Sequence, residues 1–200
     1  MLIGLTGGPG AGKSTAAGYL KKQGVAVISG DEIGKEVIEN GPAVLKMLKR
    51  DFGSSIIDNK GRLDRRKLGG LVFGHDKELK KLNRIVHPRL LRILRARIND
   101  YKRRRRTDLI VVDAALIFEW GIGAWFDIVL TVSANRDIRI SRLIKSGLSR
   151  SEAVKRISSQ IPQRVKASRA DYVIENNGSR GRLKREISLC LERLKRGTIR

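Results

Sequence analysis

The chain of 200 residues carries one cysteine, Cys190. A single thiol excludes an internal disulfide and a cysteine-based zinc cluster. It stands among apolar residues at helical spacing, where a core position is expected. No apolar run approaches the ~20 residues that a membrane-spanning helix needs. The N-terminus enters an apolar strand and a glycine-rich loop directly, which is not the pattern of a signal peptide. Internal repeats, low-complexity linkers, a helix-turn-helix pattern and an aromatic RNA motif are all missing. These absences suit a cytoplasmic domain. Acidic residues are also scarce, with 20 Asp and Glu against 43 Lys and Arg, a formal net charge of +23. That balance implies attraction to polyanions: nucleotides, coenzymes with several phosphates, or non-specifically nucleic acid. It says nothing about the fold. A 40% hydrophobic content over this length supports one domain, with room for a small insertion.

What is present is concentrated at the start. Gly7 to Ser14 reads G-x-x-x-x-G-K-S. Leu2, Ile3 and Leu5 before it suit a buried strand, and Ala16, Ala17, Tyr19 and Leu20 after it suit a helix. Strand, glycine loop and helix is the setting of a phosphate-binding loop. Glycines without Cβ let the backbone wrap a polyphosphate with its N–H groups pointing inward. The positive end of the helix adds attraction for the anion. Lys13 is placed to reach the β- and γ-phosphates, and the Ser14 hydroxyl to ligate Mg²⁺.

The rest of the chain alternates strands and helices. The first helix is expected to end near Gly24, followed by a buried strand, Val25 to Ile28. Asp31 then falls just past the carboxyl end of a strand, where open α/β sheets place ligand chemistry. Two readings of it stand side by side, a proton acceptor for an incoming hydroxyl and a helix N-cap. Residues 32–39, 42–50, 64–73, 76–86 and 88–105 read as helices, broken at Asn40-Gly41-Pro42 and at His87-Pro88. So much helix between two strands suggests a substrate-covering insertion. Lys102 to Arg106 reads either as a solvated helix end or as a phosphate or nucleic-acid contact. Residues 109–113 form a third buried strand ending in Asp113, a carboxylate suited to Mg²⁺. Trp120 and Trp125 either wall a pocket or pack. Strands are expected at 127–133 and 170–175. Between them lies an Arg-rich helix, 136–145, a break at Gly147 and a capping box, Ser149 with Glu152. This hairpin suits a lid over phosphates and equally a charged surface. An amphipathic helix over 180–196 closes the chain, with Leu183, Ile187, Leu191 and Leu194 on one face. Interleaved strands and helices argue for a parallel sheet covered on both faces.

In order along the chain, TGGPGAGKST (6–15), VISGDEIGKEV (27–37), DFGSSIID with GRLDRRKLGGLVF (51–73), IVHP (85–88), DAALIFE (113–119), SRLIKSGLSRSEAVKRISSQIP (141–162) and KASRADYVIENNGS (166–179) resemble the motifs of the dephospho-CoA kinase family. The resemblance covers nearly the whole chain. It implies a P-loop NTPase fold: an α/β domain with a five-stranded parallel sheet, helices on both faces, a helical substrate-side insertion and a lid hairpin. The core would span about 1–31, 107–134 and 170–200, the insertion about 32–106 and the lid about 135–169. The family moves the γ-phosphoryl of ATP to the ribose 3′-hydroxyl of dephospho-CoA, with Mg²⁺. Carried over by position, Asp31 becomes the general base, and Lys13 and Arg142 stabilise the transferring phosphoryl. Ser14 and Asp113 fall to the metal. Gly8, Pro9, Gly10, Ala11, Gly12, Lys13, Ser14 and Thr15 would hold the phosphates of ATP, with Asn177 and Gly178 at its adenine. Asp31, His87 and Glu119 lie on the acceptor side. A monomer is expected.

Three departures stand out. Ser29-Gly30-Asp31 replaces the family's usual Asp-Ala-Asp. Ala115 stands where a proline is usual. The lid is one residue shorter after Arg142, so a second lid arginine is missing or replaced by Lys145. Two other functions compete: a basic P-loop ATPase that binds nucleic acid, and a P-loop kinase for another nucleoside or nucleotide acceptor.

Overall fold

Short apolar runs rich in Ile and Val become the strands of a single parallel sheet. The computed structural model describes residues 1–39, 41–72, 75–104 and 109–199. β1 (Leu2–Thr6), β2 (Ala26–Ser29), β3 (Ile110–Asp113), β4 (Ile128–Ser133) and β5 (Tyr172–Glu175) lie in the order β2-β3-β1-β4-β5. All four pairings are parallel. β1 is central and fully buried, as an uninterrupted apolar run demands. The register sets Leu5 beside Asp113 and Asp113 beside Ser29, so the loop that follows β1 and the carboxylate that ends β3 share one edge of the sheet.

Backbone contacts divide the chain into two units, Met1–Ser29 with Tyr101–Arg200, and Gly30–Asp100. In the first unit, α1 (Lys13–Lys22) and α9 (Arg180–Lys195) cover one face of the sheet. Ala16, Ala17 and Leu20 of α1 and Leu183, Ile187, Cys190, Leu191 and Leu194 of α9 pack there against Ile3, Leu5, Leu130, Val132 and Ile174. The opposite face takes α8 (Gln163–Ser168) and the segment after β3. Gly4 makes room for that segment, because a Cβ there would lie 2.8 Å from Ile117 and 2.9 Å from Phe126. α6 (Arg136–Lys145) and α7 (Arg150–Ser158) form the expected hairpin, with Gly147 at φ +98° between them. The Ser149–Glu152 capping box is formed in both directions. The hairpin has its own small core of Ile140, Leu143 and Ala153.

The second unit holds α2 (Gly30–Glu39), α3 (Pro42–Phe52), α4 (Arg65–Val72) and most of α5 (Asp76–Arg104). Its buried side chains include Ile33, Val37, Val44, Leu48, Ile56, Leu68, Leu90, Leu94 and Ile98. One expectation fails here. The break at His87-Pro88 does not occur, and α5 runs through Pro88 as one helix of 29 residues. Proline removes a backbone donor and crowds the preceding turn. The buried stripe offsets that cost, because it continues at helical spacing across the site, from Ile85 and Val86 to Leu90, Leu94 and Ile98. Of the cationic run, Lys102, Arg103 and Arg104 form the exposed last turn of α5, where positive charge suits the helix dipole. Arg105 and Arg106 lie outside the described residues, as do Asn40 and Phe73. No helix among the described residues is long and apolar enough to cross a membrane.

Candidate active site

The glycine loop bends from β1 into α1 through two left-handed residues, Gly10 at φ +75° and Gly12 at φ +97°. Ala11 N closes a turn on the Gly8 carbonyl at 3.1 Å, and Ala16 N begins the helical ladder on the Gly12 carbonyl at 3.1 Å. The first N–H groups of α1 have no carbonyl one turn earlier to bond, which makes this end an anion site. Ser14 and Thr15 are exposed there. Lys13 is buried, and its ammonium donates to Asp113. The pair joins the loop to the end of β3, with the two side chains only 8% and 10% exposed.

The glycines of the loop face protein as well as the ligand side. A Cβ on Gly8 would lie 2.5 Å from Arg139 Nη2, one on Gly10 would lie 2.5 Å from the Arg139 carbonyl oxygen, and one on Gly12 would strike Asn176 Nδ2. The loop is therefore backed by α6 and by the residue after β5. Arg139 Nε donates to the Pro9 carbonyl at 2.9 Å. Arg142 reaches the Gly10 and Ala11 carbonyls at 3.4 and 3.3 Å and the Asn176 carbonyl at 2.9 Å. Asn176 Nδ2 donates to the Ala11 carbonyl at 2.7 Å. Gly8 N donates to Gln163 Oε1 at 2.9 Å.

Cations crowd this place. Lys13, Arg139 and Lys166 are all buried; Asp113 pairs with Lys13, and Glu119 with Lys166. Burial pushes the pKa of Arg139 down, and Arg136 adds to the effect. Burial lowers Arg142 in the same way. Both guanidiniums stay charged, since their ordinary values lie far above neutrality. Such a cluster, short of acids, is built for a polyanion.

Of the residues singled out in the sequence, Gly8 through Thr15, Asp113 and Arg142 come together in the first unit. Glu119 is there too, but its carboxylate is engaged with α8 and the segment before it: Oε1 accepts from Ile161 N at 3.1 Å and lies 2.8 Å from Lys166 Nζ. Asn177 is exposed, and its side chain accepts from the Asn135 backbone N at 2.7 Å and donates to the Glu175 carboxylate at 2.9 Å. Gly178 is exposed. Asp31 and His87 belong to the second unit. Asp31 sits inside the first turn of α2, exposed, and is not the residue that precedes the helix. His87 is half-buried in α5, and desolvation lowers its pKa from the ordinary value. Sequence reasoning missed Arg139, Gln163, Lys166 and Asn176. For Arg139 a signal existed, because it stands three residues before Arg142 and so shares its helix face.

The model of the dephospho-CoA kinase family matches residues 1–181. The chain belongs to that family. A dephospho-CoA kinase from Geobacillus kaustophilus is 38% identical over 193 residues, 96% of each chain. A Thermus thermophilus protein solved by crystallography is 36% identical, covers 97% of each chain and superposes with a TM-score of 0.78. The dephospho-CoA kinase from Campylobacter jejuni shares the fold, with a TM-score of 0.70 at 23% identity over 98% of each chain. Family membership makes this chain a kinase, a transferase that phosphorylates dephospho-CoA from ATP to give coenzyme A. The nucleic-acid ATPase reading is not favoured.

Proposed function

We propose that the chain transfers the γ-phosphoryl of ATP to the ribose 3′-hydroxyl of dephospho-CoA, with Asp31 as general base and Lys13 and Arg142 as the cations that meet the developing charge. The observation that carries this reading is the buried Lys13–Asp113 pair at the mouth of the glycine loop. Little covalent work falls to the protein in phosphoryl transfer, so positioned charge is most of the catalysis. Loop N–H groups orient the β- and γ-phosphates, and Lys13 and Arg142 neutralise them. The acceptor O–H loses its proton to Asp31 as the new P–O bond forms, and the bond from Pγ to ADP opens. Asp31 lies two residues beyond Ser29, the register partner of Asp113, and it is solvent-exposed, as a base for an incoming alcohol requires. Asn177 and Gly178 are assigned to the adenine side and His87 to the acceptor.

The donor set also suits Mg²⁺. Among the described residues there is no cluster of three or more His, Cys, Asp or Glu. Magnesium does not need one, because it binds through one or two protein oxygens, phosphate oxygens and water. The Ser14 hydroxyl and the Asp113 carboxylate supply those oxygens. When bound, the ion offsets charge on the β- and γ-phosphates.

The test uses purified protein with ATP, Mg²⁺ and dephospho-CoA, the product weighed by mass spectrometry and its phosphate located by ³¹P NMR. Asp31→Asn is expected to slow transfer ~10²-fold or more, the scale of general-base catalysis, while ATP affinity stays within about twofold of wild type. Full transfer activity in that variant would remove Asp31 from the mechanism.

A further inference from the structure

Lys166, in α8, has no exposed surface. Its Nζ donates to the Ala115 carbonyl at 2.5 Å, lies 2.8 Å from Glu119 Oε1 and 3.3 Å from Gln160 Oε1. Its own carbonyl accepts from Thr131 Oγ1 at 3.3 Å. Desolvation pulls the ammonium pKa down, Glu119 raises it, and Arg139 and Lys13 are near enough to lower it further.

Stability does not account for a lysine in this place. Taking an ammonium out of water is costly, and a buried ion pair is often no better than well-packed apolar side chains of the same volume. The positions of its partners do account for it. Ala115 is two residues beyond Asp113, the carboxylate that holds Lys13. The same Ala115 carbonyl accepts from Thr6 Oγ1 at 3.0 Å, and Thr6 is the last residue of β1 before the glycine loop. Between them, Ala114 N donates to the Leu5 carbonyl at 3.0 Å. Lys166 thus closes a set of hydrogen bonds around the end of β3, which carries Asp113, and the end of β1, from which the glycine loop leads to Lys13. Glu119, fixed in turn by Ile161 N, holds the ammonium in place.

We propose that Lys166, held by Glu119, is a positioning residue for phosphoryl transfer. It fixes the turn after β3, and through that turn the relative placement of Asp113 and Lys13. The proposal rests on the assignment of Lys13 to the transferring phosphoryl. Lys166 touches no substrate in this scheme, so its loss falls on kcat rather than on affinity.

Three variants test it: Lys166→Met, Glu119→Gln, and the two combined. The single methionine variant strands a buried carboxylate and is expected to melt lower. The double variant removes both charges, keeps an acceptor for Ile161 N, and is expected to melt within a few degrees of wild type. Its ATP affinity by calorimetry and its KM for dephospho-CoA should stay within about threefold, while kcat falls roughly 10- to 100-fold, the scale of a small misplacement of a reacting group. Glu119→Gln alone, which leaves Lys166 its two other acceptors, should lose about threefold in kcat and little in KM. It carries the test if the double variant does not fold. Wild-type kcat in the folded double variant, or a loss confined to KM and ATP affinity, would overturn the proposal. A wild-type protein inactive on dephospho-CoA would instead strike the assigned reaction, and the same kcat comparison would then be made on ATP hydrolysis.

Discussion

Replacing Gly10 by alanine should be among the most damaging single-methyl additions in this protein, and the reason is separable from its backbone angle. Gly10 has φ +75°, a conformation that costs an L-residue about 1–2 kcal/mol. An added Cβ would also lie 2.5 Å from the Arg139 carbonyl oxygen and 3.0 Å from its carbonyl carbon and Cα. Those are backbone atoms of α6, which cannot swing aside as a side-chain tip can. Relief requires the loop and α6 to part, which breaks the bond from Arg139 Nε to the Pro9 carbonyl. A hydrogen bond with a charged partner is worth about 1.5–3 kcal/mol. The expected loss is roughly 2.5–5 kcal/mol on adding these two contributions. Gly24 provides the control, since its φ is +79° and nothing lies within 4 Å of a methyl added there. Gly24→Ala should cost only the conformational part, about 1–2 kcal/mol. Gly8→Ala separates a side-chain clash from a backbone clash. Its methyl meets the tips of Arg139 and Gln163, so it should cost under ~1 kcal/mol in an Arg139→Ala background, where coupling between touching residues is removed. In the same background Gly10→Ala should lose the part that came from the Arg139–Pro9 bond and keep at least the conformational part, about 1–2 kcal/mol. Urea unfolding at 25 °C without nucleotide measures all of these. If Gly10→Ala is no worse than Gly24→Ala, the close backing of the loop by α6 is wrong.

Two further outcomes follow from burial. The folded state lowers the pKa of His87 beneath its ordinary 6.5, so the unfolded chain binds the extra proton first as pH falls. Stability from a neutral His87 is complete above pH 6.5 and drains away as pH drops below it. Melting curves at pH 7.5 and 5.5 should therefore show a larger fall for wild type than for His87→Gln; equal falls would refute the shift. Cys190 is 2% exposed, and burial pushes its thiol up to about 12. Iodoacetamide at pH 8 should label it only as fast as the protein unfolds, and fast labelling of the native state would contradict its core position.

The sequence by itself determined what short-range chemistry can determine. The glycine loop needed only its own residues and the helix behind it. The Ser149–Glu152 capping box is closed between residues three apart. The apolar stripe of α9 is a matter of helical spacing, and all of Leu183, Ile187, Leu191 and Leu194 are buried as that spacing demands. Pairings between distant segments were not legible. The strand order, with β1 between β3 and β4, depends on contacts more than a hundred residues apart. Local propensity at Pro88 predicted a break, and the buried stripe on either side overrode it. The loop glycines were legible as glycines but not for every reason they are needed, because Arg139 and Asn176 reach them across more than 120 residues of chain. A buried lysine such as Lys166 reads in sequence as one more surface cation. Only the packed sheet, by bringing Ala115 and Glu119 against α8, gave that charge partners and a place out of water.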